Sequence, residues 1–211
     1  DAAKRQAAAN NHTATHLMHE ALRKVLGSHV EQKGSMVTPE ILRFDFSHFQ
    51  KMTPAELRQV EMLVNRAVRA NYPLEENREA TKEEAEKCGA MMLFGEKYGD
   101  TVRVVEAGEF SRELCGGCHV SNTAEIGFVK IVSESSVGAN LRRIEAVTSY
   151  DALAYMNRIE AELKEAAAEL KVPLFDVTER TAANLATIKD FEQKRKANKQ
   201  RAAEGSVAEH L

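Results

Sequence analysis

Several things are scarce in this sequence, and each scarcity removes a class of protein. Its 211 residues hold three cysteines, Cys88, Cys115 and Cys118, too few for a disulfide scaffold and in keeping with a reducing compartment such as the cytoplasm. No apolar run approaches the roughly 20 residues that a membrane-spanning helix needs, so no membrane partner is expected. No charged-then-apolar leader opens the chain, and it starts at Asp1 rather than Met, which sets the expectation of a fragment. Positive charge is not in surplus either. The 29 Lys and Arg against 32 Asp and Glu leave a formal charge of −3, which argues against wrapping nucleic acid by bulk electrostatics. What remains, 43% hydrophobic and 29% charged residues, is the composition of a globular chain.

Glycine is also unevenly spread. Beyond about residue 150 only Gly205 remains, and the composition turns to Ala, Glu, Lys and Arg. The expected organisation is therefore an α+β domain over 1–150 and a helical extension over 151–211. In the first part, Leu17, Ala21 and Val25, with Met18 and Leu22 beside them, recur at helical spacing over 11–26, and Gly27 stops the run. Leu42, Phe44 and Phe46 alternate with Arg43 and Asp45 as in a half-buried strand, with Gly34 and Ser35 in the turn or loop before it. Thr53-Pro54-Ala55-Glu56 starts a helix that Pro73 ends, and Thr81 with Glu84 starts a shorter one. Stretches 101–107, 126–133 and 141–148 read as strands separated by loops, which favours an antiparallel or mixed sheet with flanking helices. In the extension, Met156, Ile159, Leu163, Ala166 and Leu170 form a heptad-like stripe. Pro173 breaks it, and Asp176 with Glu179 caps a second helix carrying Leu185 and Ile188, so a helical hairpin is expected. Lys194, Arg195, Lys196, Lys199 and Arg201 suit phosphate contact or simple solvation equally well.

The residues richest in chemistry form two pairs. His12 and His16 stand one turn apart on the first helix and project from one face. Cys115 and His119 have the same spacing but flank Gly116 and Gly117, a turn in which thiolate and imidazole can converge. Three nitrogens and one sulfur suit tetrahedral Zn²⁺, provided that the fold joins pairs lying 99 residues apart. A single His-x-x-x-His is common on helices without any metal, so the motif alone leaves ordinary histidines as an equal alternative. Thr13 stands where a zinc peptidase would carry its general-base Glu, which disfavours that chemistry. Cys115-Gly-Gly-Cys118 also has redox spacing, without the βαβ context such motifs open. His19 reads as a surface residue, His29 and His48 as structural ones.

Asn11-His-Thr-Ala-Thr-His-Leu-Met-His19, Gln32-Lys-Gly-Ser-Met-Val37 and Leu42-Arg-Phe-Asp-Phe46 resemble, in that order, the editing domain of bacterial alanyl-tRNA synthetase. Glu113-Leu-Cys-Gly-Gly-Cys-His-Val120 and Arg142-Arg-Ile-Glu-Ala-Val-Thr148 continue the resemblance, which covers most of 1–150. Its domain type also occurs in freestanding AlaX proteins and, more distantly, in threonyl-tRNA synthetase. The resemblance implies an AlaX-like editing fold and hydrolysis of the ester joining serine, or less often glycine, to the alanine tRNA. It implies Zn²⁺ on His12, His16, Cys115 and His119, with Gly116 and Gly117 approaching the substrate. It further implies substrate contacts from Gln32, Gly34 and Ser35, and at most one tRNA phosphate contact from Arg142 or Arg143. The implied partners are the acceptor end of the charged tRNA and the remaining domains of a parent synthetase; the tail resembles the start of that enzyme's C-terminal helical region. No aminoacylation module fits beside the matched region. One departure stands out: the family usually has Thr where this chain has Cys118, read here as a neighbour of the metal rather than a ligand. A freestanding trans-editing factor and a zinc-stabilised, non-catalytic tRNA-binding module are the alternatives.

Overall fold

The computed structural model describes residues 1–92 and 99–208, with side chains as far as residue 200. It divides into two units, Asp1–Ala154 and Tyr155–Leu211. The first is mixed α+β, built on two antiparallel sheets rather than one.

Helix α1 (Ala2–Leu26) is longer than the 11–26 expected, because the alanine-rich stretch before Asn10 carries no apolar stripe yet favours helix strongly. It ends at Gly27, whose φ of 119° suits glycine alone. Strands β1 (Gln32–Val37) and β2 (Leu42–Ser47) form a hairpin, so Gly34 and Ser35 lie within a strand and not in the expected turn. They pair with Asp45 and Phe44 across an irregularity between Gln32 and Gly34. As an edge strand with little buried surface, β1 never needed the alternation that would have revealed it. The capping box of Thr53 and Glu56 opens α2 (Pro54–Arg69), and that of Thr81 and Glu84 opens α3 (Lys82–Lys87).

Strands β6 (Val129–Gly138) and β7 (Leu141–Thr148) complete the first sheet in the order β1-β2-β7-β6. Its last strand begins three residues later than expected, because Thr123–Ile126 form a 3₁₀ turn and Gly127 reverses the chain at φ 76°. The second sheet runs β3 (Leu74–Thr81), β4 (Thr101–Ala107), β5 (Ser111–Leu114). Its outer two strands gave no sequence signal: β3 is mostly exposed polar residues and β5 has four residues.

The first sheet, α1 and α2 enclose the main core, with Leu17, Met18, Leu22, Phe44, Phe46, Val60, Val64 and Ile144 fully buried. Helix α1 buries polar side chains as well: Asn10, Asn11, Thr13, Thr15, His16 and His19. Each such group costs free energy unless it finds a partner. Asn11 finds three, donating to the carbonyls of Thr38 (2.8 Å) and Pro39 (3.1 Å) and accepting from the Thr148 hydroxyl (2.8 Å).

Most of α4 (Ser149–Leu170) and all of α5 (Val177–Ala208) belong to the second unit, with Pro173 and a 3₁₀ turn, Leu174–Asp176, between them. Met156, Ile159, Leu163, Leu185 and Ile188 are exposed along these helices. No helix among the described residues is long and apolar enough to cross a membrane.

Replacing Asn11 with Ala strands two loop carbonyls and one buried hydroxyl. Denaturant unfolding of Asn11→Ala should show a loss of about 1–3 kcal/mol, whereas a loss below a few tenths would deny the tether.

Candidate metal centre

His12 and His16 occupy one face of α1, and β5 delivers Cys115 and His119 to the same place. The ligating atoms of all four side chains lie within 4.8 Å of one another. His12 Nε2 is 3.3 Å and His119 Nε2 3.4 Å from Cys115 Sγ. A tetrahedral ion with nitrogen at about 2.0 Å and sulfur at about 2.3 Å keeps such donors about 3.5 Å apart, so the donor set fits zinc in kind and in spacing. The zinc expectation thus has its four residues assembled in one cluster, of which Cys118 is not a member. Cys118 is exposed, and none of the three cysteines forms a disulfide.

Gly117 makes this closeness possible. A Cβ there would stand 1.9 Å from Cε1 of His12, whereas one at Gly116 would meet nothing within 4 Å. Neither glycine has a positive φ, so room for the imidazole, not unusual backbone geometry, accounts for Gly117. Its N–H donates to Cys115 Sγ at 3.4 Å.

The ligands are held from behind. Thr13 Oγ1 accepts from the Val120 N–H (3.3 Å) and lies 3.1 Å from His119 Nδ1, which leaves Nε2 facing the cluster. Glu113, buried, has Oε2 3.5 Å from His16 Nδ1 and Oε1 3.0 Å from His19 Nδ1. A carboxylate behind a ligand imidazole fixes both tautomer and ring orientation. His19 is therefore a buried partner of Glu113, correcting its reading as a surface residue. Sequence reasoning missed Glu113, although His16 and His19 share a helix face and Glu113 lies two residues before Cys115.

Burial is the main cause of depressed imidazole pKa values here: His16 falls well below the ordinary range, His119 to about 3, and His12 less far. Arg103 contributes to all three as a nearby positive charge. Burial raises the carboxyl of Glu113, with His19 opposing. Neutral imidazoles with open lone pairs are what a divalent cation requires.

Arg103 grips the ligand loop, donating through Nη1 to the carbonyls of Cys115 (3.1 Å) and Gly117 (2.5 Å) and through Nε to Glu76 (3.2 Å). Beside it opens a cleft of about 820 Å³, lined by Arg5, Gln6, Glu76, Arg78, Arg103 and residues 116–119, among others.

The remaining expected residues lie elsewhere. Gln32 donates to Ser35 Oγ (3.1 Å) on β1 and, with Gly34 and Ser35, is not among the cleft's lining residues. Arg143 is bidentate to Asp45, both contacts 2.6 Å, and Arg142 donates to Glu134 at 2.6 Å. Both arginines are thus occupied by carboxylates of the first sheet. His29 and His48 bond to each other at 2.9 Å, a structural pair. Of the basic cluster on α5, Lys194 pairs with Asp190, and the side chain of Arg201 lies outside the described residues.

Comparison with known proteins adds an independent observation. Residues 102–145 match the family described as the threonyl and alanyl tRNA synthetase second additional domain. The chain is 51% identical to the alanine–tRNA ligase of Pelotomaculum thermopropionicum over 98% of its length and 24% of that protein's. It is 55% identical to the alanine–tRNA ligase of Bacillus subtilis over 87% of its length and 21% of that protein's. With the corresponding protein of Bacteroides fragilis, identity is 65% over 70% of the chain and 17% of that protein. The chain therefore spans a quarter or less of these relatives.

Two outcomes follow for the four clustered residues as a candidate metal site. Gly117→Ala should displace His12 and lower bound zinc at least tenfold by elemental analysis, while Gly116→Ala keeps it; equal retention by both would remove the steric argument. In the metal-free chain, histidines with lowered pKa bind fewer protons folded than unfolded, so stability rises with pH between about 3 and 6.5. Acidifying the chelated protein from pH 7 to 5 should lower its Tm, and His16→Gln should flatten that dependence.

Proposed function

From the match of residues 102–145 to the second additional domain of threonyl and alanyl tRNA synthetases, and from the similarity of 98% of the chain to an alanine–tRNA ligase, we propose that the chain is the editing segment of such a ligase, acting as an aminoacyl-tRNA ester hydrolase. Its substrates are the alanine tRNA carrying serine and, secondarily, glycine. The observation that carries this reading is the convergence of His12, His16, Cys115 and His119 at the edge of an open cleft.

The need for such an activity is physical. A synthetic pocket for alanine discriminates weakly against a side chain smaller by one methyl or larger by one hydroxyl. A second site that hydrogen-bonds the serine hydroxyl rejects alanine, because alanine leaves the polar group unpaired at a cost of about 1–3 kcal/mol. The resemblance alone assigns that group to Gln32, which lies on β1 outside the lining of the cleft; its amide N–H is held by Ser35, which leaves the carboxamide oxygen as the acceptor for a serine hydroxyl.

An aminoacyl ester is already activated, so the site must place a water and stabilise the developing oxyanion. Zn²⁺ held by His12, His16, Cys115 and His119 would supply Lewis-acid polarisation next to the ester. The chain's own residues do the rest. The Gly117 N–H is engaged by Cys115 Sγ, so Gly116 is assigned as the backbone donor to the oxyanion. Glu113 and Thr13 keep the imidazoles oriented, and Arg103 holds the loop carbonyls away from the ester. Four protein donors also suit a closed structural site, which favours the non-catalytic binding module as the second reading.

Deacylation of Ser-tRNA and Ala-tRNA of the alanine isoacceptor separates the two. The zinc-loaded chain should hydrolyse the serine ester at least tenfold faster than the alanine ester; no hydrolysis above buffer establishes the binding module instead. Cys115→Ala should lose both zinc and activity, and Gln32→Ala should shrink the Ser/Ala ratio. An unchanged ratio removes Gln32 from recognition.

A further inference from the structure

We propose that the arginine wall of the cleft, Arg5 and Arg78 backed by Arg103, is a subsite for the phosphodiester nearest the reactive end of a single-stranded nucleic acid. The assignment rests on the deacylase reading only for what that end carries. Any ester on a 3′-terminal ribose has one nearest anion, the 5′ phosphate of the same nucleoside. A receiving group must therefore lie within one nucleotide's reach of the metal cluster.

The cleft answers that demand. His119 and Gly117 form part of its wall, together with the three arginines and a single carboxylate, Glu76. A guanidinium has five donors. Arg103 spends four of them, two on Glu76 and two on the carbonyls of Cys115 and Gly117, so it acts as a strut and not as a hand. Arg78 spends two on Glu76, through Nε (3.1 Å) and Nη2 (2.9 Å), and its side chain is 74% exposed. Three donors remain. Glu76 is thereby shared between two cations, and Arg5 forms no ion pair among the described residues. Arg5 stands seven residues before His12, hence on the same face of α1 and about 10 Å along its axis. The cleft is locally cationic in a chain whose formal charge is −3. Arg142 and Arg143 are also bound to carboxylates, Glu134 and Asp45, but their side chains are only 12% and 24% exposed against 74% for Arg78.

The test is binding of a minihelix that carries no amino acid and has a single-stranded 3′ end, followed by fluorescence anisotropy over a series of salt concentrations. Each phosphate contact on a single strand contributes about 0.7 to the slope of log K against log salt. The double variant Arg5→Ala, Arg78→Ala should bind about tenfold more weakly and, since both arginines serve one phosphate, lose about 0.7 from that slope, with most of both restored by Arg5→Lys, Arg78→Lys. Unchanged affinity and slope overturn the subsite. Inorganic phosphate should compete only at tens of millimolar; competition at micromolar levels identifies a free-phosphate site and overturns the nucleic-acid assignment. In deacylation, the double variant should lose at least fivefold more kcat/KM on a seryl-minihelix than on the phosphate-free seryl-adenosine ester, and equal losses count against the subsite. If the unmodified chain hydrolyses neither ester, the deacylase reading fails while the anisotropy result still decides the subsite.

Discussion

Helix α1 carries a polar face into the protein interior, and buried polarity must be matched group by group. That constraint organises the first unit. Asn11 is matched by the turn after β1 and by the end of β7, Thr13 by His119 and Val120, and His16 and His19 by Glu113. Each match reaches across the chain to a different element. The hydrophobic core holds α1 against the first sheet, while its polar side chains draw β5 and the loop of residues 115–119 onto the other flank.

Convergence in turn sets the chemistry. Imidazoles brought together away from water stay neutral chiefly because burial penalises the charged form, with Arg103 adding to this for all three and neighbouring imidazoles for His16 and His119. Neutral rings facing a thiol make a donor set that could hold a metal. Arg103 acts on this cluster twice, as a fixed positive charge and as a brace on the carbonyls of Cys115 and Gly117. Gly117 contributes through an absence, leaving the space that the His12 ring occupies.

Legibility in the sequence followed the physics of each element. Helices α1 and α2 announced themselves by periodicity and caps, as did β2, whose two faces see different surroundings. Strands β1, β3 and β5 did not, because an edge strand with exposed or very few residues needs no alternation to survive. Among the site residues, the two ligand pairs were legible as spacing. Glu113 was not, since a carboxylate in sequence reads as a solvated charge until burial makes it something else. Arg103 and Glu76 were invisible for the same reason, while Arg142 and Arg143, singled out by the motif they belong to, find their carboxylate partners Glu134 and Asp45 only in the fold.

What the residues determined by themselves was local or additive: helical runs, caps, donor types, the small net charge and the order of motifs. Their types and spacings alone put two nitrogens on one helix face and a thiolate and imidazole about a glycine turn. Tertiary structure decided everything that depends on distance between remote segments. It made one cluster of two pairs 99 residues apart, turned His19 inward, tied Arg142 and Arg143 to carboxylates and left Arg5 and Arg78 facing the cleft. The reason is that burial and electrostatic partnership belong to a place in space, and only the folded chain gives a residue its place.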